Sequence, residues 1–219
     1  MKKILLISDT HGYIDNTILK YVKESDITIH AGDVGNDKLI ETIGNHTLFV
    51  GVYGNIDDHM VRSILKESEI IEIENHKFLI THIAGKSPSY NQKTKKLINN
   101  EKPNILIYGH SHLLRVEFDK RNNLTAINPG AAGKHGFHKK RTMIRFKISS
   151  RGLKDMEIID LGDRGKLSDS IRWTNQINIF LYIFCGYVGK NASGKNAKNN
   201  KWWIFKICKK SNVTPKYEI

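Results

Sequence analysis

The chain has 219 residues, 39% apolar and 26% charged. These are globular values, which exclude collagen-like, coiled-coil and largely disordered chains. The net charge of +13 is uneven: residues 1–162 hold 24 Lys+Arg against 19 Asp+Glu, and residues 163–219 hold 11 against 3.

The start, Met1-Lys2-Lys3-Ile4-Leu5-Leu6-Ile7-Ser8, is basic and then apolar, but Asp9 and His11 cut the run too early for a secretion signal. No apolar run approaches the roughly 18 residues of a membrane-spanning helix. Two cysteines, Cys185 and Cys208, cannot build a disulfide framework. A reducing, cytoplasmic setting is therefore expected.

Short apolar runs at Ile4–Ile7, Ile27–Ile29, Leu48–Val52, Phe78–Ile80 and Ile105–Ile107 predict strands buried on both faces. Between the early ones lie helical stripes: Ile14, Ile18, Tyr21 and Val22, then Leu39, Ile40 and Ile43, then Met60, Val61, Ile64 and Leu65. Asp57 and Asp58 are suited to cap the third helix. Strand–helix alternation predicts parallel βαβ units. After residue 112, the runs Val116–Phe118, Leu124–Ile127, Thr142–Ile148 and Lys154–Leu161 predict strands joined by turns. The expectation is an α/β fold whose sheet begins parallel and ends antiparallel.

Each early strand ends in a small polar cluster: Asp9-Thr10-His11-Gly12, His30-Ala31-Gly32-Asp33, Gly54-Asn55-Ile56-Asp57, Thr81-His82 and Gly109-His110-Ser111-His112. Open α/β sheets bind ligands at the carboxyl ends of their strands. The topology would therefore bring Asp9, His11, Asp33, Asn55, His82, His110 and His112 to one place. Two carboxylates, one amide and four imidazoles, with no thiolate, suit Mn, Fe, Zn, Co or Ni rather than Ca. Seven donors exceed the needs of one catalytic ion and suit two, with a carboxylate shared. His30 reads as a core or ligand-orienting group, and His46 and His76 as turn residues.

Taken together, Asp9-x-His11, Gly32-Asp33, Gly54-Asn55-x-Asp57, His82 and Gly109-His110-x-His112 resemble the calcineurin-type metallophosphoesterase superfamily. Asn128-Pro129-Gly130 adds a likeness to its small bacterial YfcE-like phosphodiesterase branch. The resemblance covers about residues 1–162. It implies a four-layer α-β-β-α sandwich and two divalent metal ions, Mn first among the candidates. It implies one ion on Asp9, His11, Asp33 and His112 and the other on Asp33, Asn55, His82 and His110. The implied activity is phosphodiester hydrolysis by in-line attack of a metal-bridging hydroxide on a small substrate, with Asp33, Asn55 and His110 acting through the metals.

Three positions depart from the family pattern. Many members follow the metal-binding Asn with a His that protonates the leaving group; here that position is Ile56, which leaves Asp57 or His59 as candidate acids. Asn36 ends the Gly-Asp-x-x-Asp pattern, and Ala131 follows Asn-Pro-Gly where the branch often has Ser. The alternative reading is a metal-binding but idle interaction scaffold, as in the retromer subunit of this fold. Asn128, Gly130, Lys134 and His135 are expected to meet substrate phosphate. The last two open a basic segment with six cationic or titratable residues among positions 134–141, for which an exposed basic turn is the alternative reading.

Residues 163–219 contrast with the rest. They hold all three tryptophans and both cysteines but none of the ten histidines. An apolar run, Ile177–Val188, precedes a Lys/Asn/Gly/Ser/Ala stretch at 189–200 and the basic aromatic segment Lys201-Trp202-Trp203-Ile204-Phe205-Lys206-Ile207. Nucleic-acid binding through this extension is one reading. The favoured one is an accidental extension from AT-rich coding sequence beyond the domain 1–162. Oligomeric state is not encoded legibly.

Overall fold

The structure is a computed structural model that describes residues 1–137 and 139–165. The expectations for Ile177–Val188, the stretch 189–200 and the Trp202-Trp203 segment, and for His138, lie outside the described residues.

The elements in chain order are β1 (Lys2–Ile7), α1 (Asn16–Lys23), β2 (Ile27–His30), α2 (Asp37–Gly44), β3 (Leu48–Gly51), α3 (His59–Ile64), β4 (Ser68–Ile73), β5 (His76–Thr81), α4 (Gln92–Glu101), β6 (Ile105–Ile107), β7 (Leu114–Asp119), β8 (Leu124–Pro129), β9 (Lys140–Ser149) and β10 (Gly152–Asp163). The strands form two five-stranded sheets, β10-β9-β1-β2-β3 and β4-β5-β6-β8-β7, as the implied four-layer sandwich requires; the run read as one sheet turning from parallel to antiparallel is divided between them. Each has a parallel triplet at its heart, β1-β2-β3 in one and β5-β6-β8 in the other. Antiparallel partners complete them: β9 and β10 on the first sheet, β4 and β7 on the second.

Side-chain alternation along the strands generates the layers. Ile4 and Leu6 point into a core between the sheets with Ile29, Phe78, Ile80, Ile105, Ile107 and Phe146. Leu5 and Ile7 point the other way, onto Ile18 and Val22 of α1, Leu39 and Ile43 of α2 and Val61 of α3. On the far side, Leu79 and Leu106 meet Ile98 of α4. Three apolar cores between four layers make an α-β-β-α sandwich.

The helices are short and well capped. Asp15, Asn36, Asp58 and Asn91 each accept an N–H of the first turn of α1, α2, α3 and α4. Asn36, the departure from the family pattern, thus has a local duty. The strand expected at 154–161 extends to Asp163, which pairs with Lys140. The fold therefore reaches beyond the expected boundary at Gly162. Among the described residues no helix is long and apolar enough to cross a membrane.

Phe78 is fully buried between the sheets and pairs across β5 with Ile71 and Ile105. Phe78→Ala is expected to lower unfolding free energy by about 3–5 kcal/mol, because a cavity is left in a layer bounded by two sheets. Denaturant titration checks this.

Candidate metal centre

Both parallel triplets end at the same rim. Asp9 and His11 follow β1, Asp33 follows β2, Asn55 follows β3, His82 follows β5, and His110 and His112 follow β6. Backbone bonds stitch these loops together: Asp9 N–H donates to the Gly32 carbonyl (3.0 Å), His11 to that of Asp33 (3.0 Å) and Gly109 to that of His82 (3.0 Å). Five of the seven expected ligands, Asp9, His11, Asp33, His110 and His112, have φ between +50° and +66°. Left-handed backbone costs a non-glycine residue on the order of 1 kcal/mol, and such strain gathers where function requires it.

The seven side chains converge. His112 Nε2 lies 3.1 Å from Asp9 Oδ1, and His82 Nε2 lies 3.2 Å from Asp33 Oδ1 and 4.0 Å from Asp9 Oδ1. Asn55 Oδ1 is 3.2 Å from His82 Nε2. Two sets have donor atoms mutually within 4.8 Å: Asp9, His11 and His112, and Asp33, His82 and His110. The imidazoles of His11 and His112 are 5.5 Å apart, and those of His82 and His110 are 5.2 Å apart.

This arrangement fits divalent cations. Asp9 is fully buried, and its Oδ1, like His11 Nε2, is a buried atom with no hydrogen bond. Each such atom costs about 1–3 kcal/mol unless a ligand satisfies it. His82 Nδ1 donates to the Ala31 carbonyl at 2.7 Å, which orients the ring and aims Nε2 at the cluster. Burial works against a charged His82, but the hydrogen bond with Asp33 and the nearby Asp9 charge raise its pKa above the ordinary 6.5. Asp33 is moved oppositely: burial would raise it, but the hydrogen bond to and charge of His82 hold it below 3.8. A proton on His82 thus supplies positive charge where a metal would. His11 is lowered, chiefly by burial.

Around this set lies a layer of fixed polar contacts. Buried His30 accepts from Gly32 N–H at Nδ1 (3.2 Å), so its Nε2 carries the proton and donates to Thr10 Oγ1 (2.8 Å). Thr10 in turn donates to the Val34 carbonyl (2.9 Å). Burial pushes the His30 pKa down to about 4, so it is neutral at physiological pH. His30 is fully buried, as expected of a core group, and ties Thr10 to the Gly32 loop. Thr10 was not expected; its only sequence signal is its place between Asp9 and His11. His76 contacts the Ser149 carbonyl at 3.1 Å, away from the rim.

Several expected roles change. Asp57 is buried, and its carboxylate accepts N–H from Val34 (3.1 Å), Gly35 (2.6 Å) and Gly54 (2.7 Å). A carboxylate so occupied ties the Asp33 loop to the Asn55 loop and is not available as a leaving-group acid; the cap of α3 is Asp58 alone. His59 is exposed at the start of α3. Asn128 is fully buried; it donates to the Gly109 carbonyl (2.9 Å) and Ser111 Oγ (3.1 Å) and accepts from Gly130 (2.9 Å). Gly130, at φ +76°, would drive an added Cβ into Thr142 Oγ1. Asn128 thus ties the Gly109–Ser111 loop to Gly130. Lys134 lies over the Tyr13 ring at 4.3 Å, whereas His135 reaches the cluster, 5.6 Å from His11. Arg164 was missed because it follows the break in composition; its Nη2 is 3.4 Å from His112 Nδ1.

A sequence profile of the calcineurin-like phosphoesterase superfamily domain matches residues 1–151. The chain belongs to that superfamily. A probable metallophosphoesterase of Mycoplasma pneumoniae is 31% identical over 138 residues, spanning 60% of this chain and 79% of the relative. Among solved structures, a novel archaeal phosphodiesterase superposes with a TM-score of 0.58 at 23% identity, covering 73% of this chain and 99% of that one. Vps29 of Entamoeba histolytica complexed with Zn²⁺ gives 0.56 at 18%, covering 74% and 99%. These two likenesses establish the shared fold. As a calcineurin-like phosphoesterase, the protein is a metal-dependent hydrolase of phosphate esters. Its Asp/His clusters are suited to divalent ions.

Asp57→Ala is expected to strip three N–H groups, two of them buried, of their acceptor and to cost about 3 kcal/mol or more of stability. Denaturant unfolding measures this; lost turnover at unchanged stability would instead assign Asp57 to chemistry.

Proposed function

We propose that the protein hydrolyses phosphodiesters at a pair of divalent cations, with Mn²⁺ first among Mn, Fe, Zn, Co and Ni. One observation carries the reading: seven oxygen and nitrogen donors meet at one rim as two adjacent sets, with Asp9 Oδ1 and Asp33 Oδ1 both within 4.0 Å of His82 Nε2. Asp9, His11 and His112 would hold one ion, Asn55, His82 and His110 the other, with Asp33 shared. When bound, two such ions supply Lewis-acid charge for activating water and for the charge that builds on the phosphate oxygens.

The chain supplies orientation. The Asp33 carboxylate is fixed by the Ile56 N–H at 3.1 Å, and Asp9 Oδ2 by the His110 N–H at 3.2 Å. The Ala31 carbonyl keeps the His82 Nδ1 proton in place, so that Nε2 presents its lone pair once deprotonated. His135, beside His11, is placed to meet a phosphate oxygen. With Asp57 occupied, His59 is the remaining side chain of the expected pair for proton delivery to the leaving group. The scaffold alternative draws on Ile56, which stands where many relatives carry that acid.

In the presence of Mn²⁺ the protein is expected to turn over a p-nitrophenyl diester faster than p-nitrophenyl phosphate. Chelation abolishes the reaction and Mn²⁺ restores it. Asp33→Ala lowers kcat/KM by about a thousandfold or more. Turnover that survives chelation or Asp33→Ala rejects the reading, and absent turnover favours the scaffold.

The His82–Asp33 pair also sets a pH dependence. Stabilisation from His82 is complete below pH 6.5 and fades as pH rises through its raised value; that from Asp33 is present above 3.8 and fades as pH falls. The pair thus stabilises the metal-free protein most between those values. Metal must displace the His82 proton, so affinity falls as pH drops through the raised value. Calorimetry in two buffers should detect the released proton, and its loss in His82→Asn.

A further inference from the structure

We propose that Arg141 is a positioning residue for one of the two cation positions. Acting through Ala132 and residues 133–136, it holds Asp9, His11 and His112 in place, while Asn55, His82 and His110 are held by other contacts. This rests on the two-ion part of the reading above and adds to it a residue outside the donor set.

Residues 132–136 run along the first donor set. Ala132 N–H donates to the Ser8 carbonyl (2.9 Å) and Gly133 N–H to that of Asp9 (3.1 Å). The His135 ring stands 5.6 Å from that of His11. Gly136, at φ +119°, lays its backbone against His112, and an added Cβ would fall on the ring at Nδ1 and Cε1. His112 Nε2 meanwhile lies 3.1 Å from Asp9 Oδ1. One short segment thus meets all three members of the Asp9 set, and it backs His112 on the Nδ1 side while Nε2 faces the other donors. The second set has separate supports. The Ala31 carbonyl holds His82 Nδ1 (2.7 Å), the Ile56 N–H holds Asp33 Oδ1 (3.1 Å), and Asp57 joins the Val34 and Gly54 loops.

The segment is fastened at its base. Arg141, only 4% exposed, directs Nε to the Ala132 carbonyl (2.8 Å) and Nη2 to Asp15 Oδ2 (2.9 Å). Asp15 lies in the β1–α1 loop that also carries Asp9 and His11. Its Oδ1 accepts the Ile18 N–H of α1 (2.9 Å), and its Oδ2 also accepts from the Tyr13 hydroxyl (3.3 Å). The Tyr13 ring meets the Arg141 guanidinium at 4.8 Å and the Lys134 ammonium at 4.3 Å. A buried ion pair adds little net stability over apolar packing, but a guanidinium holds two acceptors at set angles. What Arg141 supplies is therefore geometry: it locks the base of residues 133–136 to the loop that bears Asp9 and His11. Groups that stand behind metal ligands typically change metal affinity by about 10–100-fold.

The test is calorimetric titration of the metal-free full chain with Mn²⁺, joined to diffraction at the manganese edge to identify the set each ion fills. The wild type should show two binding transitions. Arg141→Gln should weaken the ion on the Asp9 set by about tenfold or more and the other by no more than about twofold. Arg141→Lys, which can reach one acceptor at a time, should recover part of the loss. Gly136→Ala leaves Arg141 intact but drives a methyl group into His112, and should weaken the same ion alone. Arg145→Gln is the control: on the same strand Arg145 pairs with Glu157 (2.6 Å) and lies over the Tyr21 ring (5.0 Å), and its removal should change neither transition. Equal weakening of both ions, weakening confined to the Asn55 set, wild-type affinities in folded Gly136→Ala, or the same selective loss in Arg145→Gln overturns the proposal while the phosphodiesterase reading stands. If Arg141→Gln does not fold, Arg141→Lys and Gly136→Ala decide by the same criteria. Two bound Mn²⁺ ions without turnover of the p-nitrophenyl diester remove the phosphodiesterase reading and leave the role of Arg141 to these titrations; a wild type that binds a single ion removes both.

Discussion

Two buried carboxylates that approach one imidazole nitrogen set the terms for this protein. Asp9 Oδ1 and Asp33 Oδ1 lie 4.0 and 3.2 Å from His82 Nε2, with the Asn55 oxygen also 3.2 Å from it. Oxygens of like charge so close together in a buried site repel unless positive charge stands among them. In the metal-free protein the raised pKa of His82 provides one proton's worth. Asp9 Oδ1 and His11 Nε2 are buried without a hydrogen bond, so one proton leaves ligating atoms unsatisfied. Cations of higher charge complete the electrostatics, and the left-handed backbone of five donors is held in place for them.

The fold supplies a rigid mount for this crowding. Each sheet contributes a parallel triplet, and the sandwich aligns the carboxyl ends of both. The donors therefore come from loops anchored at one end by buried strands. Polar struts fasten the loops to one another: Asp57 links Val34, Gly35 and Gly54, Asn128 links Gly109 to Gly130, and His30 with Thr10 links the first two strand ends. Glycine is required where these loops pass closest. A Cβ on Gly109 would press on Asp9 and Ser8, and one on Gly32 would sit 2.6 Å from the His82 ring.

Much of this was legible in the sequence because the strands are short, apolar on both faces and closed by polar clusters. That pattern located the donors and the early βα units. It could not tell which strands share a sheet. Pairing of β9 with β1 joins residues more than a hundred positions apart, and nothing local in Thr142–Ile148 names that partner. β4 escaped notice because glutamates interrupt its isoleucines, as suits an edge strand, and α4 because its exposed face is lysine and asparagine with Thr94 and Ile98 buried. Asp57 stands two residues from Asn55 and Asn128 belongs to a motif that follows the last ligand, so sequence alone cannot separate a strut from a reactive group; burial and hydrogen bonds do. Arg164 lay beyond the apparent boundary, where composition rather than contact was the guide.

The most direct measurement is crystallographic: diffraction from Mn²⁺-loaded protein at the manganese absorption edge, which locates metal without reference to activity. Two anomalous peaks, one among Asp9, His11 and His112 and one among Asn55, His82 and His110, with Asp33 touching both, are the predicted result. A single peak, or peaks away from these side chains, would contradict it.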